Sequence, residues 1–436
     1  MTPMLCSSQF RTLIAAFGMV ASGIAIAQTA YEPPRQFKAE EFAPAVLLKG
    51  PLHSVDEVVS VDSGLPRFTV RSQYGIWEAL GLEMLDIRVA ELPAFEQLDK
   101  VSKSDEFAKA AGQAITKPVE MVGTFVQNPI DTTGSILTGI GTFANRVGRM
   151  VGSVVTALGD SVSGPAPEQK PEQKPILAPL AAPLMGNAAP RASNSDPLGY
   201  NDARRNWAQR LKVDTYTFNG GLSERLDQLA SVTFAGNFAV NLVVSTVAAP
   251  LYYAEQTKAT ALAEAYQLPP SDIEARNEER LRKMGIEGIP VRTLFRNAYY
   301  TPTLQTALVL ALESLGEAAG RGEVIALAAR AASENEARYV NNSVLLLAQH
   351  GRKVEPIAKV RVTDSFIAAE TRGGSLVLPA PLDYIPWVKS TEEFARRADL
   401  KSAERWLLSS GKVTPRAFEE LTALGWRVSD KLVAVK

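Results

Sequence analysis

The chain has 436 residues, of which 46% are hydrophobic and 21% charged, and its formal net charge at pH 7 is −1. This balance excludes the concentrated basic face that nucleic-acid binding requires. The only cysteine, Cys6, lies in a predicted leader, and His53 and His350 are far apart in the sequence, so we expect no disulfide, no metal site and no cofactor.

The first 27 residues have the pattern of a cleavable secretory signal peptide. Arg11 precedes an apolar run, and Ala25, Ile26 and Ala27 form a small-x-small cleavage site. The run is short for a membrane-spanning helix. The sequence therefore predicts a mature chain that begins at Gln28 and is periplasmic, with envelope association as an open alternative.

Residues 28–163 are predicted to form an N-terminal part that starts with strands. The stretch RFTVRS alternates apolar and polar residues, and QYG then turns into IWEALG, which together predict a hairpin within 58–82. Helical spacing follows from Leu82, and Pro93 is expected to interrupt that helix.

The stretch from Gly134 to Gly164 predicts an amphipathic helix whose polar face consists of glycine and hydroxyl residues. Because internal glycines disfavour a helix in water, this helix needs an outside partner, either protein or lipid. The predicted membrane or partner face comprises Ile136, Ile140, Phe143, Val147, Val151, Val154 and Leu158. Close approach of a second helix is predicted along Gly141, Gly148, Gly152 and Gly159.

Residues 164–198 are rich in proline and contain a tandem Pro-Glu-Gln-Lys unit, which predicts a linker without regular structure. A mainly helical C-terminal domain is expected at 199–436. Its stretch from Leu229 to Tyr253 has no charged residue before Glu255, and it is interpreted as a buried central helix, with a membrane-spanning helix as the alternative.

The end of the chain carries a second strand patch and a helix with clear boundaries. Strands are predicted within 357–379, with a turn at Gly373 and Gly374. Thr414 is the predicted N-cap of the last helix, Pro415 its first residue and Gly425 its stop. The predicted inward-facing residues of that helix are Phe418, Leu421 and Leu424.

The fold class predicted from these patterns is α+β, predominantly α-helical, with two small strand patches at about 58–82 and 357–379. The chain is expected to be a non-enzymatic structural or interaction protein of the envelope. Its partner is a protein or a membrane surface. The alternative is a peripheral membrane-binding protein that acts through the glycine-rich helix.

A further alternative is an ester hydrolase. VVTALGDSVSG resembles the nucleophile block of the SGNH hydrolases, and GYND resembles their block with a catalytic-site asparagine. The resemblance implies Ser161 as nucleophile, Asn201 at the oxyanion and His350 as base. The chain departs from that family because no acidic residue stands two or three positions before His350, and because a proline-rich linker joins the two blocks.

Several segments resemble a family of exported proteins of Gram-negative bacteria that has no assigned activity. The segments are FTVRSQYGIWEALG, KSDEFAKAA, NPIDTTGSI, LKVDTYTFN and AERWLLSSGKVTPRAFEELTALGWRV. This resemblance covers most of the mature chain apart from the linker. It implies a two-part architecture and a periplasmic or outer-membrane-facing location, and it carries over no catalytic or binding residue.

Overall fold

The computed structural model describes residues 31–115, 199–236, 255–364 and 366–429. About 53% of them are helical and 20% lie in strands, which form a six-stranded, a five-stranded and a two-stranded sheet. The predicted fold class, predominantly helical with two small strand patches, is therefore wrong. The sheets extend well beyond the predicted patches, into 37–55 and 384–429.

The N-terminal sheet is antiparallel throughout and is built around its longest strand, β5. Strands β3 and β4 pair with one edge of β5 and β6 pairs with the other, which confirms the predicted hairpin. Phe68 and Val70 on β5 are fully buried, as the alternation of apolar and polar residues predicts. The strands are β1 Phe37–Lys38, β2 Lys49–Gly50, β3 His53–Val55, β4 Val58–Asp62, β5 Leu65–Ser72 and β6 Gly75–Leu80.

Along the chain, most helices of the described residues lie between the two large sheets, and the others connect strands within one sheet or the other. In chain order they are α1 Ala45–Leu48, α2 Leu82–Ser102, α3 Asp105–Ile115, α4 Tyr200–Leu211, α5 Gly220–Gly236, α6 Gln256–Gln267, α7 Pro270–Lys283, α8 Ile289–Arg296, α9 Pro302–Glu313, α10 Arg321–Ala328, α11 Glu334–Lys353, α12 Lys389–Ala395 and α13 Pro415–Ala423. Short 3-10 turns occur at Ala39–Glu41 and Ala398–Leu400.

Helix α2 runs through Pro93 without a break, so the prediction that Pro93 interrupts it is wrong. Proline removes one backbone donor and crowds the preceding turn, which costs about 3 kcal/mol. Leu92 and Phe95 on either side of it are buried in the core against the N-terminal sheet. We infer that this tertiary packing offsets the local cost, which no sequence pattern records.

The C-terminal sheet has the order β13-β11-β9-β8-β7, in which β9, β11 and β13 are parallel. A turn with Gly374 at φ 88° joins β8 to β9, as predicted. Strands β10 and β12 form a separate two-stranded parallel sheet. The strands are β7 Ile357–Thr363, β8 Phe366–Thr371, β9 Leu376–Ala380, β10 Tyr384–Ile385, β11 Arg405–Ser409, β12 Lys412–Val413 and β13 Trp426–Ser429.

Helix α13 has the predicted boundaries, since the Thr414 hydroxyl accepts the Ala417 N–H and Gly425 has φ 84°. Leu421 is buried, but Phe418 is 47% exposed, so its predicted inward position is wrong. The helix packs on the sheet through a narrower stripe than its apolar residues suggest.

Three large hydrophobic cores, and a small one of Tyr216, Ala265 and Ile273, organise the described residues. One lies between the N-terminal sheet and α2, α4 and α5. The second lies between α8–α11 and one face of the C-terminal sheet, and the third covers the opposite face with α12 and α13. Leu65 and Leu80 of the N-terminal sheet belong to the third core, so residues from both sides of 164–198 pack together.

None of the helices in the described ranges is long and apolar enough to cross a membrane. The predicted domain boundaries stay a prediction, because the linker at 164–198 lies outside the described residues.

Candidate functional site

A group of charged side chains is buried where α2, α6 and α11 approach one another. We call this group the central ion cluster. It contains four acidic and three basic residues, which are Glu83, Glu91, Asp214 and Glu334, and Arg88, Lys258 and Arg338.

Glu83, in the first turn of α2, joins three elements. Its Oε1 accepts from Arg338 at 3.2 Å, and its Oε2 accepts from Lys258 at 3.2 Å and from Asn342 at 2.6 Å. Burial raises the pKa of Glu83, but the Lys258 and Arg338 charges and the Asn342 amide outweigh it and leave the pKa below its usual value. The carboxylate is therefore ionised and anchors α2 to α6 and α11.

Arg88, one turn further along α2, forms the second link to α11. Its guanidinium donates to Glu91 at 2.9 Å and to Glu334 at 3.0 Å. Burial lowers the pKa of Arg88, but these two carboxylates overcome that effect and raise it. Glu334 also accepts from Arg338 at 2.6 Å, so the pairs form one continuous chain from Glu83 to Glu91.

Glu91 extends this chain to the loop between α4 and α5. It accepts hydrogen bonds from the Thr217 hydroxyl and, at 2.9 Å, from the Asn219 amide. A buried carboxylate needs such donors because each unpaired buried polar group costs about 1–3 kcal/mol. The loop at 212–219 is thus held by a residue more than 120 positions earlier.

Asp214, in the same loop, differs from the other acids of the cluster because its hydrogen-bond donors among the described residues are a hydroxyl and a backbone N–H, not a cation. Its Oδ1 accepts from the Thr303 hydroxyl at 2.7 Å and from the Tyr216 N–H at 2.9 Å. Burial raises the pKa of Asp214 above its usual value despite these two donors. Burial therefore disfavours the ionised form of this carboxyl.

A cavity of about 10 Å³ lies beside the part of the cluster that contains Arg88 and Asp214. Arg88, Glu91, Asp214, Glu334 and Arg338 contribute to its wall. This volume accommodates one water molecule, and the polar wall offers it several partners. The chemistry available here is the positioning of a water between charged groups that hold helices together.

Lys258 is a basic residue of the cluster whose pKa lies below its usual value. Burial lowers its pKa, and the neighbouring Glu83 opposes that effect without cancelling it. A lysine with a lowered pKa is a recognised nucleophile or base when it faces a cleft. Here it is 8% exposed and bonded to Glu83, and it does not line the cavity, so its position indicates a structural ion pair.

A larger groove of about 380 Å³ lies at the start of α10. It is formed by two glycine-containing segments, 284–290 and 317–322. Its volume is in the range of small-molecule sites, roughly 300–1,000 Å³. The charged residues on its wall are Glu287, Glu317 and Arg321, and burial lowers the pKa of Arg321. Because charges of both signs line it, its electrostatics favour no single class of ligand.

The residues predicted to form the membrane or partner face and the close-approach groove all lie within 134–164, outside the described residues. Their site therefore stays a prediction. The same holds for Ser161, the proposed nucleophile of the hydrolase alternative.

The other two residues of that alternative are described. Asn201 lies in the first turn of α4, and His350 lies in the last turn of α11 with a buried ring. Neither ring nitrogen of His350 has a hydrogen-bond partner among the described residues. A general-base histidine needs a group that fixes its tautomer and orientation, so this geometry gives the hydrolase hypothesis no support.

The central ion cluster was missed by sequence reasoning. Arg88 and Glu91 are three residues apart on a helix, a spacing that normally marks an exposed surface pair. Glu334, the partner of Arg88, and Arg338, which pairs with Glu334, lie on a helix more than 240 positions later. The one available signal was that charged residues interrupt the apolar stripe of α2, and this signal is common on solvated helices.

Comparison with known proteins gives this chain no relative. No protein-family model, no curated protein and no solved structure matches it.

Proposed function

We propose that the protein is an exported structural or interaction protein of the cell envelope. In this proposal, the folded body of the described residues is a base that presents the glycine-rich amphipathic segment, 134–164, to a protein partner. The signal-peptide pattern of residues 1–27 supports export, and the apolar face around Phe143 supports an interaction role.

The observation that carries the proposal is the packing of the two helices on either side of residues 116–198. Helix α3 ends at Ile115, before the segment 116–198, and α4 begins at Tyr200, after it. Both helices pack against α5, and Ala110, Trp207 and Leu226 from the three helices share one core. The described residues that flank 116–198 therefore belong to one packed group of helices.

Hydrogen-bonded ion pairs of the central ion cluster hold the folded body of the described residues together. Glu83, Arg88 and Glu91 reach from α2 to α6, to α11 and to the loop before α5. Breaking such a pair leaves an uncompensated buried charge, so the network resists rearrangement. This use of charged residues is one that supports a scaffold.

A photo-reactive amino acid at position 143 tests the proposal. We expect the full-length chain, expressed in a Gram-negative host, to form a discrete protein adduct from that position on irradiation. The adduct is identified by mass spectrometry as protein or lipid. The same probe at Phe418, which is 47% exposed on α13, is the matched control and should give no discrete adduct.

Three outcomes would contradict the proposal. Lipid adducts from position 143 would favour the peripheral membrane-binding alternative. A mature protein that keeps Met1 and stays in the cytoplasm would exclude the envelope role. Ester hydrolysis that is lost specifically in Ser161→Ala would replace the proposal with the hydrolase alternative.

A further inference from the structure

His350 is a buried histidine whose ring has no polar partner. It lies in the last turn of α11 and is 1% exposed. Neither Nδ1 nor Nε2 has a hydrogen-bond partner in the described parts of the chain. Its ring packs edge-on against Trp406 of β11, with ring centroids 5.3 Å apart and an angle of 62° between the planes.

Burial at this position costs the imidazolium ion more free energy than it costs the neutral imidazole. A neutral ring leaves one donor and one acceptor unsatisfied, at about 1–3 kcal/mol each. A charged ring needs two acceptors and loses the solvation of a full charge as well. Burial accordingly lowers the pKa of His350, and Glu355 opposes this only in part.

The charged groups on the elements packed around α11 are engaged elsewhere or point to solvent. Arg352, Lys353 and Lys359 are exposed. The Arg427 guanidinium lies over the Trp406 ring, 5.3 Å from its centroid, and pairs with Glu404. Arg361 pairs with Glu370, Glu313 with Arg280, and Glu323 accepts the Val362 N–H. Arg321 donates to the Gly316 carbonyl and Arg405 to the Leu424 carbonyl.

Backbone geometry shows which segment depends on the position of His350. The His350 carbonyl accepts the Val354 N–H at 2.8 Å and the Glu355 N–H at 3.3 Å, which closes the end of α11 and starts the turn into β7. Displacement of His350 therefore disturbs the helix end, the turn at 354–356 and the contact with β11 together.

We propose that His350 is an acid-sensitive switch, whose protonation releases the end of α11 from Trp406 and from the C-terminal sheet. In the closed form, the His350 ring packs against Trp406, and this form is stable only while the ring is neutral. Acidification gives the ring a charge that water solvates and the core does not. In the opened form, the end of α11 therefore separates from the C-terminal sheet.

The direction of the pH dependence follows from linkage. The folded state holds the His350 pKa below its unfolded value, so the opened form binds a proton that the closed form does not. The stability is fully present above the unfolded value of about 6.5 and is lost as the pH falls below it. While this difference of one proton persists, the opening equilibrium increases about tenfold per pH unit.

Proton NMR of the imidazole C–H signals of the full-length mature protein tests the switch, because its only histidines are His53 and His350. His53→Gln identifies the two signals and retains a donor for the Leu47 carbonyl, which His53 Nε2 contacts at 3.1 Å. We expect His350 to titrate below the usual value, together with a loss of hydrogen-exchange protection at the end of α11.

The variant His350→Phe keeps an aromatic edge against Trp406 and cannot take up a proton. We expect its α11 protection to be flat over the pH range in which the wild type and His53→Gln lose theirs about tenfold per pH unit. Loss of protection in His350→Phe over the same range would overturn the proposal. If this variant does not fold, the wild-type spectra decide, because a His350 titration without loss of protection would also overturn it.

Discussion

The carboxylate of Asp383 caps helix α2 from a position 301 residues away, since its Oδ2 accepts the Leu82 N–H at 2.7 Å. The local N-cap position is Gly81, at φ 91°, which has no side chain to do this. Asp383 follows β9, so the first turn of a helix in the N-terminal part is completed by a loop of the C-terminal sheet. This bond is one of several contacts that join the two parts of the chain.

Asp383→Asn is expected to stabilise the protein at neutral pH. Burial raises the pKa of Asp383 from 3.8 to about 6, so the folded state favours the protonated acid. Its stabilising contribution is complete below pH 3.8 and is lost as the pH rises through about 6. Asparagine keeps an acceptor without the charge, which should add about 2 kcal/mol at pH 7.

Urea unfolding at pH 7 and at pH 4 measures this difference. The gain from Asp383→Asn should shrink towards zero at pH 4, where the wild-type carboxyl is already largely protonated. Asp383→Ala is the control for the cap itself and should be about 1 kcal/mol less stable than Asp383→Asn. Equal stability of wild type and Asp383→Asn at pH 7 would contradict the buried charge.

Glu83→Gln should be strongly destabilising, because it leaves Lys258 and Arg338 buried without their shared carboxylate. We expect a loss of about 3–5 kcal/mol in the free energy of unfolding. Chemical denaturation at pH 7 gives this value. The matched control is Glu40→Gln, at an exposed pair with Lys38, which should change stability by less than about 1 kcal/mol. Similar losses for both variants would refute the structural role of the central ion cluster.

Gly320→Ala and Gly285→Ala form a pair that separates backbone strain from steric clash. Both glycines have positive φ, 80° and 72°, so alanine should cost about 1–2 kcal/mol at either position. A Cβ at Gly320 would lie 1.9 Å from the Val360 carbonyl oxygen, whereas none of the described atoms lies within 4 Å of a Cβ at Gly285.

The clash at Gly320 arises because the chain pairs with β7 there, where Val360 N–H donates to the Ala319 carbonyl at 2.8 Å. We therefore expect Gly320→Ala to be about 2 kcal/mol less stable than Gly285→Ala in thermal unfolding. Equal melting temperatures for the two variants would show that Gly320 does not lie close enough to β7 for an alanine Cβ to clash with the Val360 carbonyl oxygen.

Proteolysis within 164–198 should leave two fragments that remain bound to each other. Contacts between residues 31–115 and 199–429 include Glu83 with Arg338, Arg88 with Glu334 and the Leu82–Asp383 bond. Size-exclusion chromatography of the nicked protein should show one complex at neutral pH, and urea should separate it. Elution as two independent fragments without denaturant would instead favour two self-sufficient domains.

The sequence alone determined the elements whose signals are local. The hairpin of β5 and β6 shows in the alternation around Phe68 and Val70, and α13 shows in Thr414, Pro415 and Gly425. Turn, cap and period-two signals act over a few residues, so they can be recognised without knowing the rest of the fold. The turn at Gly374 was found for the same reason.

Only the tertiary structure decided the sheets and the buried charges. Strands β11 and β13 are short. Strand β11 pairs in parallel with β9 and β13 pairs in parallel with β11, across helical connections that no turn signal marks. The packing of α2 in the core keeps Pro93 within the helix. The way α13 packs on the sheet leaves Phe418 exposed. Arg88 and Glu334 become buried partners through the fold alone, since a charge pair 246 residues apart leaves no pattern along the chain.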